Sequence, residues 1–190
     1  MQCNNIQIIL HIEKKIRIML MSSSNSYSKS NLDVIEINNS NKKNVRRFTQ
    51  NGQIQIYQSS HRGCYSSIIR DSLRNAALGR KVLLLQFMKG GVQQGITNAV
   101  KLCGNLTWIR SSHSFDQYNP EEIENNENLK KTINESTYEL WNFCKKELLS
   151  GENDQIILDE IFLAIEMNII DKDDLISTLE NRFISGDVIL

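Results

Sequence analysis

Residues 81–87 read KVLLLQF, a near-continuous apolar run. A strand of that composition must be covered on both faces, and two-sided burial is the mark of a parallel sheet between helix layers. The residues before it supply the crossover. Ile54 and Ile56 alternate with Gln53 and Gln55, and Tyr57 follows, which predicts a short strand. Ser59 to Gly63 then breaks the alternation with small and polar residues. Ile68, Ile69, Leu73, Ala76 and Ala77 recur near one face of a helix that Gly79 closes. Strand, loop, helix and strand over Gly52 to Phe87 make a βαβ unit, with parallel strands and a right-handed crossover. The loop before the helix is a potential phosphate site, because the first helical N–H groups and the helix dipole point at it.

The rest of the chain continues the alternation. Met88 to Gly95 (MKGGVQQG) reads as a glycine-rich loop at the carboxyl end of a strand, where open α/β sheets bind ligands. Ile96 to Cys103 predicts a short helix stopped by Gly104, and Leu106 to Arg110 (LTWIR) a third strand. Pro120 suits the first residue of a helix, with Glu121, Glu122 and Glu124 in its first turn. That helical pattern runs to about Leu149, with Leu129, Ile133, Leu140, Phe143 and Leu148 inward, and Ser150 and Gly151 end it. Gln155 to Leu158 (QIIL) is a fourth, buried strand ending in Asp159 and Glu160. Helices over Ile161 to Met167 and Asp171 to Phe183, then a strand from Asp187 to Leu190, complete the reading. The expected fold is one α/β domain over residues 51–190, a P-loop NTPase-like parallel sheet flanked by helices in a Rossmann-like three-layer arrangement.

Residues 1–50 have another character. His11, Glu13, Lys14, Lys15 and Arg17 interrupt the isoleucines of Met1 to Met21, so no apolar run reaches the length of about 18 residues that a membrane span needs. The charges follow the first apolar residues rather than precede them, which does not suit a secretory signal. The stretch reads either as residues ahead of a true start at Met21 or as a short amphipathic helix. Ser22 to Asn44 is rich in Ser, Asn and Lys, and residues 1–50 are expected to form a mobile arm. Lys42, Lys43, Arg46 and Arg47 cluster there, either as a solvated tail or as a holder of an anion. Lysine plus arginine and aspartate plus glutamate are both 22, so bulk charge argues for neither a nucleic-acid nor an acidic-membrane partner. Cys3, Cys64, Cys103 and Cys144 lie far apart, without metal-ligand spacing, and read as reduced thiols of a cytoplasmic protein.

Two constellations carry potential chemistry. A Walker A loop needs glycines for close backbone approach, a lysine for the terminal phosphates and a hydroxyl for magnesium. Here the loop runs Ser59, Ser60, His61, Arg62, Gly63, Cys64, Tyr65, Ser66. Gly63 stands where the last glycine belongs, but Cys64 takes the lysine position and Tyr65 the hydroxyl position. On the bare pattern it reads as an ordinary βα turn. The second constellation is IILDE, an apolar run from Ile156 into Asp159 and Glu160, the Walker B arrangement. A carboxylate at such a strand tip is placed to bind magnesium; the bland alternative is an acidic strand end. His61 and His113 sit in polar loops, Cys64 reads as an unreactive thiol at a helix start, and Trp108 and Trp141 as core or boundary residues.

From Ile54 to Leu190 the chain resembles the P-loop ATP:corrinoid adenosyltransferases. The residues that carry the resemblance are YQSSHRGCYSS with RNAALGRKV, then Gln86, Phe87, Met88, Lys89 and Gly90 against the family's Q-F-[IM]-K-G, then IILDE with LISTLENR. The resemblance implies a transferase that binds ATP with Mg2+ and a corrinoid substrate whose Co(I) attacks the ribose 5′ carbon, releasing triphosphate. It implies a homodimer. By position, Ser59, Ser60, His61, Arg62, Gly63, Cys64, Tyr65, Ser66 and Lys89 line the nucleotide, and Asp159 and Glu160 lie on the magnesium side. Arg62 falls on the first loop lysine, Cys64 on the second, Tyr65 on the magnesium hydroxyl, and Ser59 and His61 on glycines. The family continues past the last strand with T-G-R and a further helix, which this sequence lacks. Three functions follow: an adenosyltransferase; a non-catalytic relative that binds a nucleotide or a protein partner without turnover; and, least favoured for want of a water-positioning residue, an ATPase.

Overall fold

A computed structural model describes residues 14–15, 51–57, 66–90, 94–112 and 126–190. Apart from Lys14 and Lys15, the expected arm lies outside these residues, as do Ser59 to Tyr65, His113 and Pro120. Lys14 and Lys15 are helical, and Lys15 Nζ lies 3.0 Å from Asp173 Oδ1.

Among the described residues one sheet forms, from β1 (Ile54–Gln55), β2 (Val82–Gly90), β3 (Val100–Leu102), β4 (Leu106–Ser111), β5 (Gln155–Asp159) and β6 (Asp187–Ile189). Its order is β1-β6-β5-β2-β4-β3, and every neighbouring pair is parallel except β3–β4. Pleating divides the strands between two faces. Val82 and Leu84 of β2, Leu106 of β4, Ile157 of β5 and Ile189 of β6 pack against Ile68 and Ala76 of α1 (Ser66–Ala77). Leu83, Leu85, Ile109, Ile156, Leu158 and Val188 point the other way. They meet α2 (Glu127–Ser150), α3 (Ile161–Glu166) and α4 (Lys172–Glu180). The result is the expected three-layer α/β, P-loop-like fold, with β1 and β2 parallel but separated by β6 and β5.

Two local expectations are corrected. Ile96 to Cys103 is not a helix. A single 3₁₀ turn, Ile96–Asn98, leads into β3, which pairs antiparallel with β4. Cys103 and Gly104 have φ of 50° and 77°, so the glycine read as a helix stop is the bend of a hairpin. Met88 to Gly95 is not all loop either: β2 continues through Met88, Lys89 and Gly90, with a register shift against β4 between Gln86 and Gly90. Such an irregularity re-aims a side chain, here that of Lys89.

The strand that precedes the phosphate-loop position is anchored by backbone contact. Gly52 N donates to Ile184 O at 2.8 Å, and a Cβ at Gly52 would stand 2.2 Å from Gly186 O. Only glycine allows that approach. Tyr57 N to Leu190 O at 2.8 Å extends the pairing beyond β1 itself.

The far face is locked by one acid. Asp174 Oδ2 accepts from Trp141 Nε1 at 2.7 Å and from Lys145 Nζ at 3.0 Å, tying α2 to α4. Burial alone would raise the Asp174 pKa, but the indole N–H and the Lys145 ammonium outweigh it, and the carboxyl sits below its ordinary 3.8. An acid with a depressed folded pKa stabilises the fold above its unfolded pKa, and the contribution fades as pH falls through the folded value. Asp174→Asn is therefore expected to lower stability to urea at pH 7. The difference from the unsubstituted protein should narrow as pH falls below 3.8 and close once it has passed the lowered folded value, where both side chains are neutral. An unchanged difference at acid pH would assign the effect to packing instead.

No helix among the described residues is long and apolar enough to cross a membrane.

Candidate functional site

The parallel strands end together, so their last side chains meet along one edge. Residues of one parity on each strand share the α1 face: Ile157 and Asp159 on β5, Leu84 and Gln86 on β2, Leu106, Trp108 and Arg110 on β4. Register then decides which ones touch. Gln86 pairs with Asp159 on one side and with Arg110 on the other. Three polar residues thus stand in a row across three adjacent strands.

Their hydrogen bonds run in one direction. Trp108 Nε1 and Arg110 Nε both donate to Gln86 Oε1, at 2.8 and 2.7 Å. That orients the amide, so Gln86 Nε2 donates to Asp159 Oδ2 at 2.5 Å. Lys89, turned by the register shift, donates to the same Oδ2 at 2.7 Å, and its Nζ lies 3.6 Å from Glu160 Oε1. Asp159 Oδ1 makes no hydrogen bond to a described residue. Asp159 is 1% exposed, and burial pushes its pKa up. Lys89 and Gln86 pull it down only in part, and the Glu160 charge adds to the rise. Glu160 follows in the left-handed region at φ 62° and ψ 24° as the N-cap of α3. A non-glycine residue held there stores backbone strain, which concentrates at functional sites.

Among the described residues no group of three or more His, Cys, Asp or Glu gathers to hold a metal. Magnesium needs no such cage, because one or two carboxylates suffice when phosphates and water fill the other positions. A buried carboxylate with one uncommitted oxygen, beside a second acid, fits that role. Lys89 is the internal cation of the same pair of acids.

Of the residues named from sequence, Lys89, Asp159 and Glu160 are brought together. Ser66 is the exposed first residue of α1. Ser59, Ser60, His61, Arg62, Gly63, Cys64 and Tyr65 lie outside the described residues. The strand before them, β1, is separated from β5 by β6 alone, two strand spacings or about 10 Å, and all three strands point their carboxyl ends the same way.

Residues 50–190 match the family described as ATP:corrinoid adenosyltransferase BtuR/CobO/CobP. The chain belongs to that family. No curated protein matches it. Seen as an ATP:corrinoid adenosyltransferase family member, the chain carries its Q-F-M-K-G segment on β2 and its L-D-E segment at the end of β5, joined by the Gln86–Asp159–Lys89 bonds.

Sequence reading did not assign Gln86, Trp108 or Arg110 to the site. The signals were present. A glutamine inside VLLLQF must find partners once the strand is buried. Trp108 and Arg110, two apart in LTWIR, had to share a face.

Proposed function

We propose that the chain transfers the adenosyl group of ATP to the Co(I) centre of a corrinoid. The carrying observation is the bonded set Gln86, Lys89, Asp159 and Glu160 at the carboxyl edge of the sheet, in a chain of this family. In the reaction the cobalt lone pair forms the bond to the ribose 5′ carbon. The C5′–O bond breaks and its electron pair leaves with triphosphate. No proton has to move, so the work of the protein is positioning and charge neutralisation. Asp159, through Oδ1, and Glu160 would hold the magnesium that arrives with ATP, which supplies neutralising charge at the phosphates. The loop from Ser59 to Ser66 would meet the triphosphate, and two copies of the chain form the working dimer.

The test is direct. Purified protein, MgATP and a chemically reduced corrinoid should give the absorbance change of an adenosylcorrinoid, with triphosphate released in equal amount. No product under reducing, anaerobic conditions overturns the proposal.

A second reading, nucleotide binding without turnover, is favoured by Cys64 in the lysine position. A lysine on phosphate contributes about 1.5–3 kcal/mol, one to two decades in affinity. The double change Cys64→Lys and Tyr65→Thr is expected to tighten ATP binding by about tenfold or more in calorimetric titration. Unchanged affinity would mean that the loop does not follow a phosphate-binding path.

A further inference from the structure

We propose that Gln86 is a positioning residue for a divalent cation: it keeps Asp159 Oδ2 engaged, and so leaves Oδ1 as the oxygen that takes the metal. The inference rests on the adenosyltransferase reading for the source of that cation. It starts from the donors around the amide. An indole and a guanidinium carry N–H groups and no acceptor. Trp108 and Arg110 therefore admit one orientation of Gln86, with Oε1 towards them, and they use both lone pairs of that oxygen, at 2.8 and 2.7 Å. Turned over, the amide would set its NH₂ against two donors and its oxygen against Asp159 Oδ2. The Arg110 guanidinium carbon stands 4.4 Å from the centre of the Trp108 ring, so the two donors brace each other.

Lys89 cannot fix the carboxylate in the same way. Its ammonium rides on a flexible four-carbon stem. It is bonded to Asp159 Oδ2 but also lies 3.6 Å from Glu160 Oε1, so it serves either acid. Gln86 is 2% exposed, paired in register with Asp159, and held at its far end by two residues of β4. It is also neutral. It occupies one oxygen of Asp159 without cancelling the charge that attracts a cation, which a second lysine or an arginine in its place would do. A carboxylate that binds metal through one oxygen is held by such outer hydrogen bonds, and loss of an outer partner typically costs about 10–100-fold in metal affinity.

Mn2+ alone, followed through the electron paramagnetic resonance signal of the free ion, should be titrated into the full chain. The variants are Asp159→Asn, Gln86→Leu, Trp108→Phe and the last two combined. Asp159→Asn is expected to remove the binding and so defines the site. Gln86→Leu should weaken it by about tenfold or more. Trp108→Phe loses the N–H bonded to Gln86 and should weaken it by less. Added to Gln86→Leu it should have no further effect, because it acts only through the amide. A role in the fold alone would lower the melting temperature of these variants and leave Mn2+ affinity unmoved.

Equal Mn2+ affinity in the unsubstituted chain and Gln86→Leu overturns the proposal. So does the absence of any binding that Asp159→Asn removes, or full additivity of the two changes. Should Gln86→Leu fail to fold, Trp108→Phe decides, because an amide freed of one donor must still weaken binding. Gln86-dependent Mn2+ binding without adenosylcorrinoid would support this role and reject the proposed reaction. Turnover indifferent to Gln86→Leu would do the reverse.

Discussion

Asp159→Asn is expected to cut adenosyl transfer by two to three decades while leaving the protein folded. The rate loss follows from loosening the magnesium that Asp159 would hold against the leaving triphosphate, an electrostatic loss of about 10²–10³. The intact fold follows from the bonding. Gln86 and Lys89 both donate to Oδ2, at 2.5 and 2.7 Å, so an asparagine carbonyl in that place keeps both bonds. What disappears is the charge and the accepting character of Oδ1. Burial raises the Asp159 pKa, with Lys89 and Gln86 opposing it and Glu160 adding to it. For an acid with a raised folded pKa, the ionised form costs stability once pH exceeds the unfolded value, and the cost grows until pH passes the folded value. Asparagine does not carry it. Thermal melting at pH 7 should therefore show a Tm that is unchanged or higher, alongside the collapse in rate. Full activity would remove Asp159 from the site. A large fall in Tm would show that the acid serves the fold.

Trp141→Ala carries the largest expected effect on stability, about 3–5 kcal/mol. The ring is 0% exposed, it sits at 6.4 Å and a 57° tilt from Phe87, and its N–H holds Asp174. Alanine loses apolar burial, opens a cavity between α2 and β2, and leaves Asp174 with Lys145 alone. Trp141→Phe separates these terms. It keeps most of the volume and loses the N–H, so about 1–2 kcal/mol is expected. Urea titrations of both variants measure the ratio. Equal losses would mean that the hydrogen bond, not the volume, holds the two helices together.

Much of the layering was legible in the residues. The run VLLLQF announced a strand with two buried faces, and it packs on α1 through Val82 and Leu84 and on the other layer through Leu83 and Leu85. The end of α2 was equally clear, since Gly151 takes φ 71°. The hairpin of β3 and β4 was not. VKL is too short to show a period, and Gly104 suits a helix end as well as a turn. The end of β2 was misread for the opposite reason: Lys89 and Gly90 look like loop residues, yet pairing with β4 resumes at Gly90–Ser111.

For the candidate site, the acids at a strand tip were visible because one element carries them. The Gln86 hub was not, because it exists only through register. Asp159, Gln86 and Arg110 come from three strands far apart in sequence, and nothing local in any of them specifies that they align.

The two outermost strands described here are stubs, β1 of two residues and β3 of three. Long, flat, unpaired borders recruit foreign chains into fibrils, and short ones offer too few ladder bonds to hold a newcomer. On β3 the middle residue is Lys101, exposed, so an incoming copy in register would set ammonium against ammonium. Among the described residues, a sheet built around such a sticky central ribbon thus keeps its selvedges brief, and offers a second copy little to lengthen.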